Sequence, residues 1–392
     1  MSPSIPPPAS AIDFSELPWN LNLPEEHCYL HITTTSDWSD EEAVLASLET
    51  SVHSYAERPL PFSPATTSLN YGTTLWEGLK TYRTEDSKAV VFRADRNYQR
   101  MSDGAAELCL PMPSEKIFLR AIQLVIQKNA HLIPPPGDGM KLYVRPMLLG
   151  SGQQLGLYPS PEFSFLVYVS PTGNYFKSAT KGLNLHLENK RSRASRGGMG
   201  SVKCAGNYAA ALKPLMDCKK HGFMDNIFLE LDTYTPGKLQ DAVIQEMSAA
   251  NVFLVLSSGE IVTPSLDRQT ILPGVTRDSI LQLIDKYGDE LKDAMKASTG
   301  QESVKASSRD VTVGEILQAT EAFCTGTAAE LVPIARIATA PGEEAFDCVL
   351  PQGQTLPGGP VTTKLLELLR QAMAGTLIVD EGWLKDPFAD EF

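Results

Sequence analysis

"GGMGSVKCAGNYAAAL", residues 197–212, sets one lysine among glycines and small residues, directly before a helix-compatible run marked by Tyr208. Lysine is ordinarily a solvated surface residue. Lys203 has almost no side-chain mass on its N-terminal side. Glycine there lets the backbone come close to a flat or charged group. Two readings stand: a floppy loop, or a lysine held against something bound.

The chain has 392 residues, which sets a prior of two domains, each large enough for its own core. Hydrophobic residues make up 42% and charged residues 21%, an ordinary globular balance. Lys and Arg number 34 against 47 Asp and Glu, and the net charge of −13 argues against wrapping nucleic acid or docking on anionic lipid. Six cysteines, at 28, 109, 204, 218, 324 and 348, form no C-x-x-C pair and no Cys/His cluster. No metal or redox motif is expected from them, and a reducing compartment is. The stretch MSPSIPPPASAIDFSELPWN (1–20) has no basic residue, against a secretory or Arg-rich transit signal. FADEF, at 388–392, matches no retention address. No apolar run approaches the roughly 20 residues that span a bilayer. The expectation is a soluble cytoplasmic protein.

A loose tail is expected over residues 1–20, a small domain over 21–178 and a larger domain over 179–392 that carries Lys203. LYVRPMLL (142–149) reads as a buried strand with one awkward arginine, and FSFLVYVSP (163–171) as its neighbour. An amphipathic helix runs from the N-cap Ser114 to Ala130. A helix follows from about Asn207 to His221, stopped by Gly222. NIFLELD (226–232) reads as a strand, and NVFLVLSSGEIVTP (251–264) as a hairpin turning at Ser258-Gly259. Hairpins interspersed with helices predict an α+β fold rather than a regular doubly wound sheet.

Several stretches carry chemistry. ILPGVTRDSI (271–280) turns at Pro273-Gly274 into a helix, where the N–H groups of Val275 and Thr276 suit an anion. A plain turn is the simpler account of that stretch alone. CTGTAAEL (324–331) reads the same way, with a glycine, Thr327 and then a helix-compatible run. Glu246 stands before an apolar strand, either solvated or aimed at a cation. Arg93, Arg96 and Arg100 fall at i, i+3 and i+7, one helical face, which is either solvated or a phosphate clamp. Arg145 is the least comfortable residue, since a guanidinium in an apolar strand needs an anionic or carbonyl partner. An amine, a carboxylate, an arginine and helix N-termini together describe a pyridoxal 5'-phosphate site.

At this point the chain resembles the fold-type-IV pyridoxal-phosphate enzymes, and within them the branched-chain amino acid aminotransferases. The resembling stretches run from about residue 65 to 375. They are LNYGTTLWEGLKTYR, LYVRPMLLGSGQQLGLYPSPEFSFLVYVSPTGNYF, GSVKCAGNYAAALKP, EMSAANVFLV, TPSLDRQTILPGVTRDSI and FCTGTAAELVPI. The resemblance implies a small α/β N-terminal domain, a larger pseudo-barrel domain and a homodimer whose partner loop, here GSGQQLGLYPS (150–160), closes the site. It implies that Lys203 is the Schiff-base lysine, that Tyr208 bonds the ring oxygen and that Glu246 pairs with the pyridine nitrogen. Arg100, the backbone of Val275 and Thr276, and Thr327 would take the phosphate, with Leu272 packed on the ring. Tyr71, Arg145 and the N–H groups of Thr327 and Ala328 would handle substrate carboxylates. Tyr143 and Trp76 would line the side-chain pocket.

The implied reaction moves the amino group between L-leucine, L-isoleucine or L-valine and 2-oxoglutarate. Two departures bear on it. Trp76 stands where relatives often carry Phe, and residues 232–246 form a longer hairpin than the family pattern, so that Glu246 is preferred over Asp241 on the E-x-x-x-x-N-x-F spacing to Asn251 and Phe253. Ala329 and Val332 replace a C-x-x-C found in mammalian-type members, which removes a thiol switch there. The rivals are a transaminase of specialised metabolism acting on an unusual amino acid, a D-amino acid or an (R)-amine, and a cofactor-binding scaffold without activity.

Overall fold

Lys141–Gly150 forms a ten-residue strand, paired antiparallel along its whole length with Phe163–Thr172. Both are buried almost throughout, which explains why their sequences run apolar rather than alternating. The computed structural model describes residues 5–17, 27–56, 60, 62–136, 140–173, 181–390 and 392. Two compact units emerge: one from Met1–Lys177, Val202–Ala205 and Met373–Phe392, the other from Ser178–Ser201 and Gly206–Ala372. The expected boundary at 178/179 lies outside the described residues.

The first unit holds β1 (Cys28–Thr34), β2 (Val52–Ser54), β3 (Thr74–Trp76), β4 (Leu79–Arg83), β5 (Ala89–Phe92), β6 (Lys141–Gly150) and β7 (Phe163–Thr172). With the short strand Leu384–Lys385 beside β5, they make one antiparallel sheet in the order β5-β4-β6-β7-β1-β2, and β3 also pairs with β6. Helices α1 (Glu41–Ser47), α2 (Thr67–Tyr71), α3 (Ala94–Glu107) and α4 (Glu115–Lys128) complete it. Ser114 caps α4 as expected, its hydroxyl accepting from Ile117 N–H at 3.3 Å. Such a cap is worth ~1 kcal/mol. The buried face of α4 (Ile117, Phe118, Ile122, Val125 and Ile126) contributes more, at about 1.5–3 kcal/mol for each large side chain.

Residues 5–17 are held rather than loose. Ile5 and Phe14 are buried, Pro6 C=O accepts from Arg83 at 2.8 Å, and Ala9 N–H donates to His131 C=O at 2.8 Å. A Pro/Ser-rich composition misled here, because two apolar anchors suffice to dock a short segment.

The second unit holds β8 (Leu183–Glu188), β9 (Asp225–Leu229), β10 (Ile244–Met247), β11 (Asn251–Leu256), β12 (Glu260–Thr263), β13 (Lys305–Ser308), β14 (Ala319–Gly326), β15 (Glu330–Ala338) and β16 (Asp347–Val349). Its sheet runs β10-β9-β8-β15-β14-β11-β12-β13, with β16 on β15. The pairings β8–β9, β8–β15 and β12–β13 are parallel and the others antiparallel, so the sheet is mixed. Helices α5 (Ala205–Lys220), α6 (Val275–Tyr287), α7 (Lys292–Thr299), α8 (Val313–Ile316) and α9 (Pro360–Ala374) join the strands. The α+β expectation holds.

Two local expectations fail. The run after Cys324 is a β-hairpin, not a helix start: β14 and β15 pair antiparallel around a turn at 327–329. Continuous apolar flanks on both sides of a glycine-containing turn favour strand pairing. Arg93 does not join Arg96 and Arg100 on one helical face. Arg93 lies outside α3 with φ 53° and stacks on Trp383 at 4.5 Å, Arg96 is exposed and Arg100 is buried. Among the described residues no helix is long and apolar enough to cross a membrane.

Candidate active site

Pro146 shapes the first unit's group of candidate residues. Proline has no N–H to give a ladder, so pairing along β6 breaks opposite it. β3 pairs up to Trp76–Met147 and β4 resumes at Leu79–Val144, leaving Glu77 and Gly78 as a kink between them. Glu77 N–H donates to Pro146 C=O at 2.9 Å. Gly78 is required there, because a Cβ would stand 1.9 Å from the Tyr143 hydroxyl.

The lysine loop meets this kink through its backbone. Trp76 N–H donates to Lys203 C=O at 3.3 Å, and Leu75 bridges Cys204. Lys203 is half-buried, with Nζ 4.0 Å from the centroid of the Trp76 ring. Arg145 holds the same ring, its Cζ 4.2 Å from the centroid, and donates to the Tyr143 hydroxyl at 2.9 Å. Tyr168 faces Arg145 across the strand pair. The sequence asked for an anionic or carbonyl partner for Arg145; the structure supplies two aromatic faces and a phenol, and Nε remains buried without a partner. Burial pushes the Tyr143 phenol up, against the pull of Arg145.

Arg100, on α3, is buried and gripped at two points by Glu77, through Nε and Nη2, each at 2.7 Å. Asn97, one turn earlier, donates to the same carboxylate at 2.6 Å. Burial opposes ionisation of Glu77, but the guanidinium of Arg100, with Lys203 and Asn97, outweighs it and holds the carboxyl below its ordinary range. Tyr71 ends α2, and its hydroxyl accepts from Gly156 N–H at 2.7 Å. That bond ties it to the loop 151–160, on which Leu155, Leu157 and Tyr158 stand 86%, 82% and 73% exposed.

The second unit carries its own constellation. Glu246 is buried on β10 and ion-paired with Arg193. It also accepts from Asn251 Nδ2 at 2.8 Å and from Leu272 N–H at 2.9 Å. Asp241, the alternative in the longer hairpin, is exposed in a one-turn 3-10 helix. Tyr208 is half-buried in the first turn of α5. Val275 and Thr276 open α6, where first-turn N–H groups have no intrahelical acceptor. Thr327 and Ala328 form the half-buried tip between β14 and β15. Beneath it Thr325 Oγ1 is buried without a partner.

Gly200, three residues before Lys203, has a packing role. A Cβ at Gly200 would lie 2.6 Å from Thr270 Cα, so this glycine lets residues 200 and 270 touch. Arg193 spans the same contact, donating to Gly200 C=O at 2.8 Å and Thr270 C=O at 3.1 Å. Glu77, Asn97 and Arg193 were missed from sequence. Glu77 and Asn97 carried a signal: an acid directly after Trp76, and a polar residue three before Arg100 on the buried face of α3.

The sequence pattern of the family described as Amino-transferase class IV matches residues 74–337. The chain belongs to the class IV amino-transferases. This amino-transferase is 38% identical over 327 residues to "Branched-chain-amino-acid aminotransferase 6" of Arabidopsis thaliana, covering 83% of this chain and 82% of the relative. It is equally 38% identical, over 324 residues and the same shares, to "Methionine aminotransferase BCAT4" of Arabidopsis thaliana. Other relatives carry "chloroplastic" or "mitochondrial" in their names. In fold it resembles the branched-chain amino acid aminotransferase from Thermobaculum terrenum in its PLP-form, at TM-score 0.69 and 17% identity, over 93% of this chain and 99% of that one. The fold-type-IV architecture expected from sequence is the one found.

Proposed function

We propose that this amino-transferase uses pyridoxal 5'-phosphate to move the amino group between L-branched-chain amino acids (leucine, isoleucine, valine) and 2-oxoglutarate. The observation that carries the reading is Trp76 flanked by two cations, the amine of Lys203 and the guanidinium of Arg145. An amine is what a cofactor aldehyde needs, and a guanidinium is what a substrate carboxylate needs.

The donor set fits the cofactor. Arg100 offers a buried cation for phosphate, and Glu246 offers a buried carboxylate with Arg193 as its counter-ion. When bound, the cofactor supplies an aldehyde for amines and a ring that draws electron density from the amino acid's α-carbon. The chain's own residues do the rest. Lys203 Nζ would hold the cofactor and later carry the proton at the α-carbon. Glu246 would accept from the ring N–H and keep it protonated, Tyr208 would bond the ring oxygen and Leu272 would pack on the ring. Arg100, the N–H groups of Val275 and Thr276, and Thr327 would bind phosphate. Arg145, whose Nε lacks a partner, would take the substrate carboxylate with Tyr71 and the N–H groups of Thr327 and Ala328. Tyr143 and Trp76 would line the side-chain pocket.

The test is a half-reaction. Purified protein, yellow with bound cofactor, should bleach when L-leucine is added without an oxo acid. A yellow protein indifferent to leucine, isoleucine and valine would overturn the substrate assignment. The equal likeness to a methionine aminotransferase, together with Trp76, favours a second reading in which an unbranched or unusual side chain is preferred. Relative kcat/KM for L-methionine, L-leucine, D-alanine and an (R)-amine separates these.

We further propose a homodimer, supported by the exposed Leu155, Leu157 and Tyr158 on one short loop. A cytoplasmic location is proposed against relatives whose names carry "chloroplastic" or "mitochondrial", and localisation of the tagged protein against plastid and mitochondrial markers tests it.

A further inference from the structure

Glu77 is a charged residue that none of these roles employs. It is fully buried, with 0% of its side chain exposed, in the kink between β3 and β4. Around it stand Arg100 and Asn97 from α3, Gly78 N–H at 3.2 Å, Tyr143 and Arg145 from β6, and Lys203 from the loop on β3. Three cations therefore face one carboxylate.

A buried ion pair contributes little to stability compared with apolar residues of the same size. Its presence beside Lys203 calls for another reason, and the geometry gives one. Two parallel bonds fix the plane of a guanidinium as one bond does not. Glu77 takes Nε and Nη2, so the plane of the Arg100 guanidinium is fixed in one orientation. The arginine's rotamer freedom is then lost on folding, not on ligand binding. The negative charge of Glu77 works against an incoming anion, but Lys203 and Arg145 keep the local balance positive.

We propose that Glu77 is a positioning residue that holds Arg100 in the orientation needed to bind the cofactor's phosphate. The proposal rests on the reading of Arg100 as a phosphate ligand.

The experiment uses the full-length apoprotein and measures Kd for pyridoxal 5'-phosphate and for pyridoxal, which lacks the phosphate. The ratio of the two reports the phosphate contacts alone. In Glu77→Gln the preference for the phosphorylated form should fall by roughly ten-fold or more, the size of one charge-assisted hydrogen bond. Glu77→Asp, which keeps the charge but shortens the reach, should give a smaller fall. A purely structural Glu77 would weaken both ligands alike and leave the ratio unchanged, which would overturn the proposal. If Glu77→Gln does not fold, Glu77→Asp decides, and an unchanged ratio there has the same consequence. Arg100→Lys separates the two layers. A ratio that falls in Arg100→Lys but not in the Glu77 variants sinks the proposal alone. A ratio unmoved in Arg100→Lys removes the phosphate role of Arg100 and the proposal with it.

Discussion

The amine of Lys203 and the guanidinium of Arg145 share one ring, standing 4.0 Å and 4.2 Å from the centroid of Trp76. Indole is the best aromatic partner for a cation, and each such contact contributes about 0.5–1 kcal/mol where water has access. Trp76 therefore both fills space and holds two charges. Trp76→Phe should enlarge the side-chain pocket and raise kcat/KM for L-leucine and L-methionine relative to L-valine by several-fold. Steady-state kinetics with the three donors checks this, and an unchanged ranking would remove Trp76 from the pocket.

Lys203→Ala should abolish turnover and covalent capture of the cofactor together. Borohydride reduction followed by peptide mass spectrometry should mark the peptide containing residue 203 in the natural chain and no lysine in the variant.

Glu246 and Arg193 are both buried, so removing either one strands the other's charge. Arg193→Met should cost about 3–5 kcal/mol of stability, as broken buried pairs do. Combining it with Glu246→Gln should restore much of that stability without restoring activity. Denaturant melts and turnover on the three variants separate structure from chemistry; a double variant no more stable than Arg193→Met would contradict the pairing.

Asp225 gives a pH prediction. Burial raises its carboxyl above the ordinary 3.8, against hydrogen bonds from Ser248 Oγ at 2.5 Å and from Asn226 N–H at 2.7 Å. An acid whose folded value is raised binds its proton more tightly in the folded state. Its contribution is most favourable below 3.8 and is lost as pH rises through the folded value. Asp225→Asn, which keeps an accepting oxygen, should raise Tm at pH 7, with the gain shrinking toward pH 4. A gain that is constant across pH would show that the carboxylate charge is not the cause.

The exposed loop gives the last prediction. Charged residues at Leu155 and Leu157 should shift the protein toward monomer in sedimentation and lower specific activity in proportion to the monomer fraction. A variant that remains dimeric and fully active would place the interface elsewhere.

Much of the fold was legible because its signals are local. Continuous apolar runs marked β6 and β7, Ser114 marked the start of α4, and Ser258-Gly259 marked a hairpin that forms as β11 and β12. The lysine loop drew attention because few structures need a lysine among so many small residues. What escaped depended on partners distant in sequence. Arg145 was recognised as uncomfortable, but that two aromatic rings would receive it could not be read from a strand alone. Arg93 fitted a helical spacing, yet it precedes α3 and stacks on Trp383. Glu77 was passed over, and only the break in pairing opposite Pro146 shows why an acid is enclosed there.

The backbone bond from Trp76 to Lys203 has a genetic consequence. It is part of what makes Val202–Ala205 a member of the first unit, although the residues before and after belong to the second. The first unit is thus written in three separate stretches of the gene, one of them four codons long. A single crossover near residue 178 would exchange a fragment that lacks its own lysine segment and its last strand. Such a chimaera would inherit a lysine loop shaped for another β3, so the two units are expected to evolve by substitution in step rather than by trading whole modules.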